Sequence, residues 1–290
     1  MAKRQANDNR SEMKRFLPSL LALCAWVIDV ASADEGSSRK TPAVPEIRVE
    51  KDNWRGASLN DIRKVLESAA QELMPHADSS KWDNIIVSRS SKSPIVLFKR
   101  GKAGEYFVKL NTQGNFWCQY AYQFSHELGH IIAGYKDGDK GNLWLEESLC
   151  ETASLFTMRK MREAWVTSPP YPNWKDYSKH LGSYAQDRID DNLWPKGKSI
   201  SEWYEENKDH LRENPTDRAK NNVIAAKLLP YFEENPKRWR AVRYLNECKS
   251  KKHRSFAKHL EDWKESCPNK EDKDFVAYLT KLFGVESSSD

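Results

Sequence analysis

Hydrophobic positions recur at helical spacing over most of the chain and alternate with polar ones only in a short early stretch. From Ser58, which with Asp61 resembles a capping box, apolar residues follow every three or four positions up to Pro75, a pattern that predicts a helix. Short apolar runs then predict strands at 85–87, 95–98 and 106–110. The glycines of segment 101–104 predict a hairpin between the last two strands.

Longer helical patterns follow this stretch. One helix is predicted to begin after Asn115 and to run to Ala133, where Gly134 ends it, and a second to run from about Leu143 to Trp165. Beyond these the pattern predicts only helices, near 175–190, 199–213, 217–233, 236–248, 254–265 and 272–283. The order predicts an α+β fold, in which a small lobe with an antiparallel sheet precedes an all-helical lobe.

The N-terminal residues have the pattern of a targeting segment. Basic residues precede an apolar run from Phe16 to Ile28, and the small residues Ala31 and Ala33 follow. Because this run is shorter than the about 20 residues that span a bilayer, a signal peptide cleaved near Ala33 is favoured over an uncleaved anchor. We therefore expect a secreted or periplasmic protein whose mature form has no membrane attachment. The predicted organisation is a signal peptide (1–33), a linker or arm (34–57), a catalytic lobe (58–165) and a helical lobe (166–290).

Composition and charge narrow the function classes. The chain has 47 Lys and Arg against 42 Asp and Glu, a formal charge of +5, and no basic run beside a recognition motif, so we expect no nucleic-acid partner. Cleavage of residues 1–33 would leave four cysteines, enough for two disulfides in an exported protein. Cys248 and Cys267 flank a predicted helical hairpin and are the favoured pair, whereas Cys118 and Cys150 could be bridged or simply buried.

The residue pattern with the clearest chemistry lies in the first long helix. His126 and His130 are four positions apart, so their side chains project from one face and could share a metal ion. Glu127 follows the first histidine directly, and its carboxylate could reach a water on that metal. Zinc would need a third protein ligand if one coordination position is to stay open for water.

The next helix contains an acidic cluster that could supply this ligand. Glu146, Glu147 and Glu151 could simply form a solvated helix face, but such faces usually place Lys or Arg one turn away from each Glu. Instead, Glu147 and Glu151 stack at i and i+4. Two carboxylates at this spacing repel each other unless a cation lies against them, and a metal ion bound by the facing helix would be such a cation.

These two segments resemble the gluzincins, zinc metallopeptidases in which HExxH is followed by a helix that donates a Glu. Residues 143–148 are similar to the third-ligand segment of the gluzincin aminopeptidases, and residues 147–151 resemble that of thermolysin-type peptidases. Both comparisons imply Glu147 rather than Glu146 as the third ligand. The second implies that Glu151 supports the imidazole of His126. No Gly-x-Met-Glu-Asn segment precedes the helix, so the resemblance does not extend to recognition of a free amine.

The resemblance also implies a fold and a mechanism. We expect a zincin-like lobe whose strand near 105–111 is a sheet edge that binds an extended polypeptide substrate. One catalytic Zn²⁺ would activate a water, with Glu127 as general base. Four residues could stabilise the oxyanion, and the sequence does not choose among Tyr177, His180, Tyr184 and His210.

The leading functional hypothesis is therefore a secreted zinc metallopeptidase that hydrolyses peptide bonds. Two alternatives are a narrow-specificity hydrolase of another amide, such as a cell-wall crosslink, and a binding protein that holds a metal without turnover. Glu127 counts against the binding protein, because a structural metal site has no use for a base and is usually four-coordinate with Cys or His. The sequence does not separate endo- from exopeptidase action and leaves the oligomeric state open.

Overall fold

Helices and strands occur largely where the hydrophobic pattern of the sequence predicts them. A computed structural model describes residues 44–78, 82–134, 136, 140–248 and 254–285. The strands are β1 (Ile47–Val49), β2 (Ile85–Arg89), β3 (Ile95–Val96) and β4 (Tyr106–Leu110). The helices are α1 (Leu59–Leu73), α2 (Trp117–Ile132), α3 (Leu143–Thr167), α4 (Ser178–Asp190), α5 (Ile200–Glu213), α6 (Arg218–Glu234), α7 (Trp239–Val242), α8 (Phe256–Ser266) and α9 (Lys270–Phe283). These elements confirm the predicted mixture of helix and strand.

The predicted signal peptide, residues 1–33, lies outside the described residues and stays a prediction. None of the described helices combines the length and the apolarity needed to cross a membrane.

The described strands form one sheet in the order β1-β2-β4-β3. β1, β2 and β4 are parallel, and only β3 runs antiparallel to its neighbour β4. Helix α1 carries the chain from the end of β1 back to the start of β2, and such a crossover makes neighbouring strands parallel. The prediction of an antiparallel sheet is therefore wrong, except for the β3–β4 pair that the 101–104 segment joins.

The strand near 105–111 is not the edge of this sheet. β4 pairs with β2 on one side and with β3 on the other, so neither side of its backbone is open to an extended peptide. The outer strand is β3, which pairs Ile95 with Lys109 and Val96 with Val108. The prediction of β4 as the edge is wrong because strand order depends on pairings between distant segments.

Residues 44–57 belong to the sheet-bearing part of the fold. β1 pairs in register with β2, so that Ile47 lies opposite Ile85. Trp54 is buried and donates its Nε1–H to the carbonyl of Glu50. The predicted linker at 34–57 is therefore wrong for its described part. A strand of three residues followed by one buried tryptophan is too short a pattern to separate from a loop by periodicity.

Helix α3 packs against helices from both predicted lobes. It contacts α1 and α2 of the sheet-bearing part, and also α4 and α6 of the helical part. The helix runs past the predicted boundary at 165/166 as far as Thr167, and the Nε1–H of the buried Trp165 donates to Ser68 Oγ at 2.7 Å. The described residues accordingly form one compact unit around α3.

The cysteines within the described residues are free thiols. The Sγ of Cys248 lies 3.4 Å from Asp262 Oδ2, whereas Cys267 is buried at the C-terminal cap of α8. The predicted disulfide between Cys248 and Cys267 is therefore wrong, because the Cys248 thiol is directed towards a carboxylate. Cys118 and Cys150 are buried rather than bridged.

A glycine permits the close approach of α2 and α3. A Cβ at Gly129 would lie 2.8 Å from the Cα of Cys150, closer than a carbon can approach a helix backbone. The absence of a side chain at Gly129 thus lets the two helices pack with little space between their axes.

Substitution of this glycine tests the packing. We expect Gly129→Ala to lower the free energy of unfolding by about 1–3 kcal/mol through overpacking. The control is Gly182→Ala in α4, where the nearest atoms belong to the flexible side chain of Arg162. That change should leave stability unchanged or raise it by up to about 1 kcal/mol through helix propensity. Urea unfolding followed by circular dichroism measures both, and equal effects would show that the helices are not in tight contact.

Candidate metal centre

The two histidines of the HExxH segment lie on the same face of α2. His126 and His130 are one turn apart, and their ring centroids are 5.1 Å from each other. The helix begins at Trp117, with Phe116 rather than the predicted Asn115 as its N-cap, and Gly134 takes a positive φ of 66° after its last turn. Gly129 lies between the histidines in sequence and lets α3 approach them.

Helix α3 brings Glu147 to both imidazoles. The Oε2 of Glu147 lies 3.3 Å from the Nε2 of His126, and its Oε1 lies 3.8 Å from the Nε2 of His130. The side chains of His126 and Glu147 keep 17% and 19% of their surface exposed, so this convergence of donor atoms is accessible from outside.

The opposite nitrogen of His126 contacts a second carboxylate. Its Nδ1 lies 3.4 Å from Glu151 Oε1, and the hydroxyl of Tyr122 donates to the other oxygen of Glu151. Burial alone would raise the pKa of Glu151, but the neighbouring His126 and the Tyr122 hydrogen bond together hold it below its usual value. Glu151 is therefore an anionic acceptor that can fix the orientation of the His126 ring.

His130 is held in the same way by Glu146, to which the sequence pattern assigned no role. Its Nδ1 lies 2.7 Å from Glu146 Oε1, and the side-chain amide of Asn246 donates to Glu146 Oε2 at 2.7 Å. Glu146 is thus the counterpart of Glu151, and both histidines direct Nε2 towards Glu147. The acidic cluster itself signals the presence of Glu146. No local pattern indicates Asn246, because it lies 100 residues further along the chain.

Glu127 is buried beside the histidines and lies next to the edge of the sheet. The residue is 3% exposed, and the backbone N–H of Val96 in β3 lies close enough to its carboxylate to lower its pKa. Burial raises the pKa of the Glu127 carboxyl, and the charges of His126 and His130 offset this only in part. A carboxylate with a raised pKa is better able to take up a proton than an exposed one.

The side chains of His126, His130 and Cys150 form a group that could hold a metal ion. One donor atom from each lies within 4.8 Å of the others. Imidazole and thiol ligands suit zinc and other borderline or soft transition metals. Cys150 itself is buried where α3 meets Gly129 of α2.

A cleft of about 580 Å³ opens over this site. The predicted site residues all line it, namely His126, Glu127, His130, Glu147 and Glu151. Residues 93–96, at and before the edge strand β3, form part of its wall. The cleft therefore connects the acidic and imidazole side chains with the outer strand of the sheet.

Of the four residues proposed to stabilise an oxyanion, only Tyr184 lines this cleft. Tyr177 and His180 lie against each other in a separate hollow of about 350 Å³, whose rim Tyr184 also reaches. His210 is half-exposed and lies 2.7 Å from Asp217 at the start of α6. The structure thus brings Tyr184 to the candidate metal centre and leaves the other three outside it.

The cleft also contains residues that the sequence did not indicate. Arg188 at the end of α4 and Arg218 at the start of α6 line it, together with Asn222 one turn further along α6. These residues lie beyond both α2 and α3 in the sequence, and no local motif surrounds them. Only the packing of α4 and α6 against α3 brings them to the site.

Comparison with models of protein families, with curated proteins and with solved structures finds no match for this chain. What the site can do therefore has to follow from its own side chains and their distances.

The support of His130 can be tested through metal affinity. We expect Asn246→Ala to weaken binding of Zn²⁺ or Co²⁺ by about 10- to 100-fold, because Glu146 would lose the donor that orients it against His130. Competition with a chromogenic chelator measures the affinity. The control is Asn207→Ala, since Asn207 donates to a carbonyl within its own helix α5. Equal affinities for the two variants would contradict this role.

Proposed function

We propose that the protein is a zinc-dependent metallopeptidase in which His126, His130 and Glu147 hold the metal and Glu127 is the general base. One observation carries this proposal: both imidazole Nε2 atoms and the Glu147 carboxylate converge at the wall of a cleft that Glu127 also lines. Two histidines and one glutamate are a known donor set for catalytic zinc, which keeps a further position open.

The distances between the donor atoms fit this metal. Tetrahedral ligands at about 2.1 Å from one ion lie about 3.4 Å from each other. The Nε2 of His126 lies 3.3 Å from Oε2 of Glu147, close to that value, and the Nε2 of His130 lies 3.8 Å from the other oxygen, Oε1, so the carboxylate faces both nitrogens. Carboxylates on the Nδ1 atoms of both rings would keep Nε2 unprotonated and directed at the ion.

Glu147 suits the third position better than Cys150. Glu147 lines the cleft, whereas the Cys150 thiol is packed between α2 and α3. Burial raises the pKa of Cys150 well above its usual value, and the charges of Glu146, Glu147, Glu127 and Glu151 raise it further. Formation of a thiolate among four carboxylates is thus unfavourable, while Glu147 is an anion already directed at both imidazoles.

The zinc, Glu127 and Tyr184 would have separate roles in the hydrolysis of a peptide bond. Zinc held by these ligands would act as a Lewis acid that acidifies a water and polarises a peptide carbonyl. Glu127 takes a proton from the attacking water and transfers it to the nitrogen of the departing amine as the C–N bond breaks. Because Arg188 donates to the oxygen of the Tyr184 hydroxyl at 2.9 Å, the hydroxyl hydrogen of Tyr184 is available to an oxyanion in the cleft.

The substrate would lie along β3 rather than β4. β3 is the outer strand, and residues 93–96 line the cleft. An extended peptide that lies along this strand in the cleft would place its carbonyl groups beside Glu127, whose carboxylate lies next to the Val96 amide.

Removal of the base is the direct test of activity. The full-length protein, loaded with Zn²⁺, is incubated with a mixed peptide library, and products are identified by mass spectrometry. We expect Glu127→Gln to reduce cleavage by about 10²- to 10⁴-fold without loss of zinc, because the amide cannot take up the proton. A chelator should abolish cleavage by the unaltered protein, and added Zn²⁺ should restore it.

The matched control for this experiment is Glu163→Gln, on the exposed part of α3. This variant should cleave at the rate of the unaltered protein. Cleavage that persists in Glu127→Gln, or no cleavage by any of the zinc-loaded proteins, would refute the proposal. The second result would favour a binding role or an amide substrate that is not a peptide.

The third ligand can be identified independently of turnover. We expect Glu147→Ala to weaken zinc binding by about 100-fold, since the negatively charged ligand is lost. Cys150→Ala should change the affinity no more than a few-fold. Isothermal titration with Zn²⁺ measures both variants, and the opposite ranking would assign the third position to Cys150.

A further inference from the structure

The part of the cleft wall formed by α4 and α6 carries two positive charges. Arg188 and Arg218 line the same cleft as Glu127 and Glu147. Within the part of the chain that the structure describes, neither guanidinium forms an ion pair with a carboxylate. A planar guanidinium in a cleft can bind a carboxylate through two parallel hydrogen bonds.

Aromatic rings hold Arg188 in place. Its guanidinium donates to the Tyr184 hydroxyl at 2.9 Å and lies 5.1 Å from the centroid of that ring and 5.4 Å from the centroid of Tyr122. Tyr122 in turn donates to Glu151, which contacts His126. Arg188 is therefore fixed close to the metal ligands before any ligand arrives, which lowers the entropic cost of binding.

Arg218 lies at the same end of the cleft. Its charge and that of Arg188 both interact electrostatically with Glu151, although neither side chain bonds to it. Asn222, which also lines the cleft, has a side-chain oxygen, Oδ1, that is buried without a hydrogen-bond partner among the described residues. A buried acceptor of this kind needs a donor, such as a peptide N–H.

We propose that Arg188 and Arg218 form a subsite for a carboxylate, so that the preferred substrates are peptides with a negative charge close to the cleaved bond. This inference rests on the proposed peptidase function. The carboxylate could be an acidic side chain or the C-terminus of the peptide, since a guanidinium binds both in the same way. Asn222 would then accept a backbone N–H of the same peptide.

A second role for the arginines would predict a different result. Their charges could serve only to offset the negative charge of Glu151 and its neighbours. In that case peptides with and without a carboxylate would bind equally, because the ligand would make no contact with the guanidinium groups.

The test measures binding without turnover. Full-length, zinc-loaded Glu127→Gln protein is titrated into fluorescein-labelled mixed octapeptides, and anisotropy gives Kd. In one pair of pools both C-termini are amidated, and one pool has Glu at the internal positions where the other has Gln. The other pair contains no acidic side chain and differs in a free against an amidated C-terminus. The titrations are repeated with Glu127→Gln proteins that also carry Arg188→Gln, Arg218→Gln or both. A Glu127→Gln protein with Arg212→Gln is the surface control.

We expect one anionic pool to bind at least about tenfold more tightly than its neutral partner. A hydrogen bond to a charged group contributes enough free energy to change Kd by that factor. The preference should fall in each single variant, disappear in the double variant and persist in the Arg212→Gln control. Arg188→Lys should retain part of it. The first pair of pools reports an acidic side chain, and the second a C-terminal carboxylate.

Equal Kd values for anionic and neutral pools, or a preference that survives the double substitution, would overturn the subsite. These results can be separated from failure of the peptidase proposal. A charge preference in binding, with no cleavage by unaltered protein, would refute hydrolysis and keep the subsite. Equal cleavage of acidic and neutral peptides by the unaltered protein would refute the subsite and keep hydrolysis.

Discussion

The close contact between α2 and α3 at Gly129 is the constraint on which the candidate metal centre depends. The histidines lie on one helix, while Glu146, Glu147 and Glu151 lie on the other. Distances of 2.7–3.8 Å between these groups are possible only if the helix backbones approach each other closely. A side chain at Gly129 would push Cys150 away, and with it the carboxylates on either side of it in sequence. The glycine within the HExxH segment therefore has a geometric role: it lets α3 approach the histidines.

The second constraint is the burial of charge. Glu127, Glu146 and Glu151 are buried, and Glu147 is nearly so, around only two imidazoles. Even with both rings protonated, this cluster would keep a net negative charge, and isolated buried carboxylates are strongly destabilising. A divalent cation at the convergence of the Nε2 atoms and Glu147 would offset that charge.

Local periodicity was sufficient to predict most helices and the candidate ligands, whereas the surroundings of the site depend on distant contacts. Helix α2 has a strong apolar pattern, and the spacing of His126 and His130 follows directly from the helical turn. The order of the strands does not, because pairing of β4 between β2 and β3 joins segments that sequence patterns cannot relate. The contact of Asn246 could not be predicted for the same reason, since its amide bonds to Glu146, which lies 100 residues away in the sequence. The short strand β1 was missed because three residues show too little alternation.

The edge strand links the sheet to the chemistry of the helices. The N–H of Leu97 donates to Phe107 in β4, and successive amides of a strand point in opposite directions. The amide of Val96 must therefore point away from the sheet, where it meets the Glu127 carboxylate. A strand that lay between two others would have no such amide to spare, so only an outer strand can both approach Glu127 with its backbone and border the cleft. The position of β3 outside β4 is thus what allows one short segment to lie against Glu127 and to form part of the cleft wall.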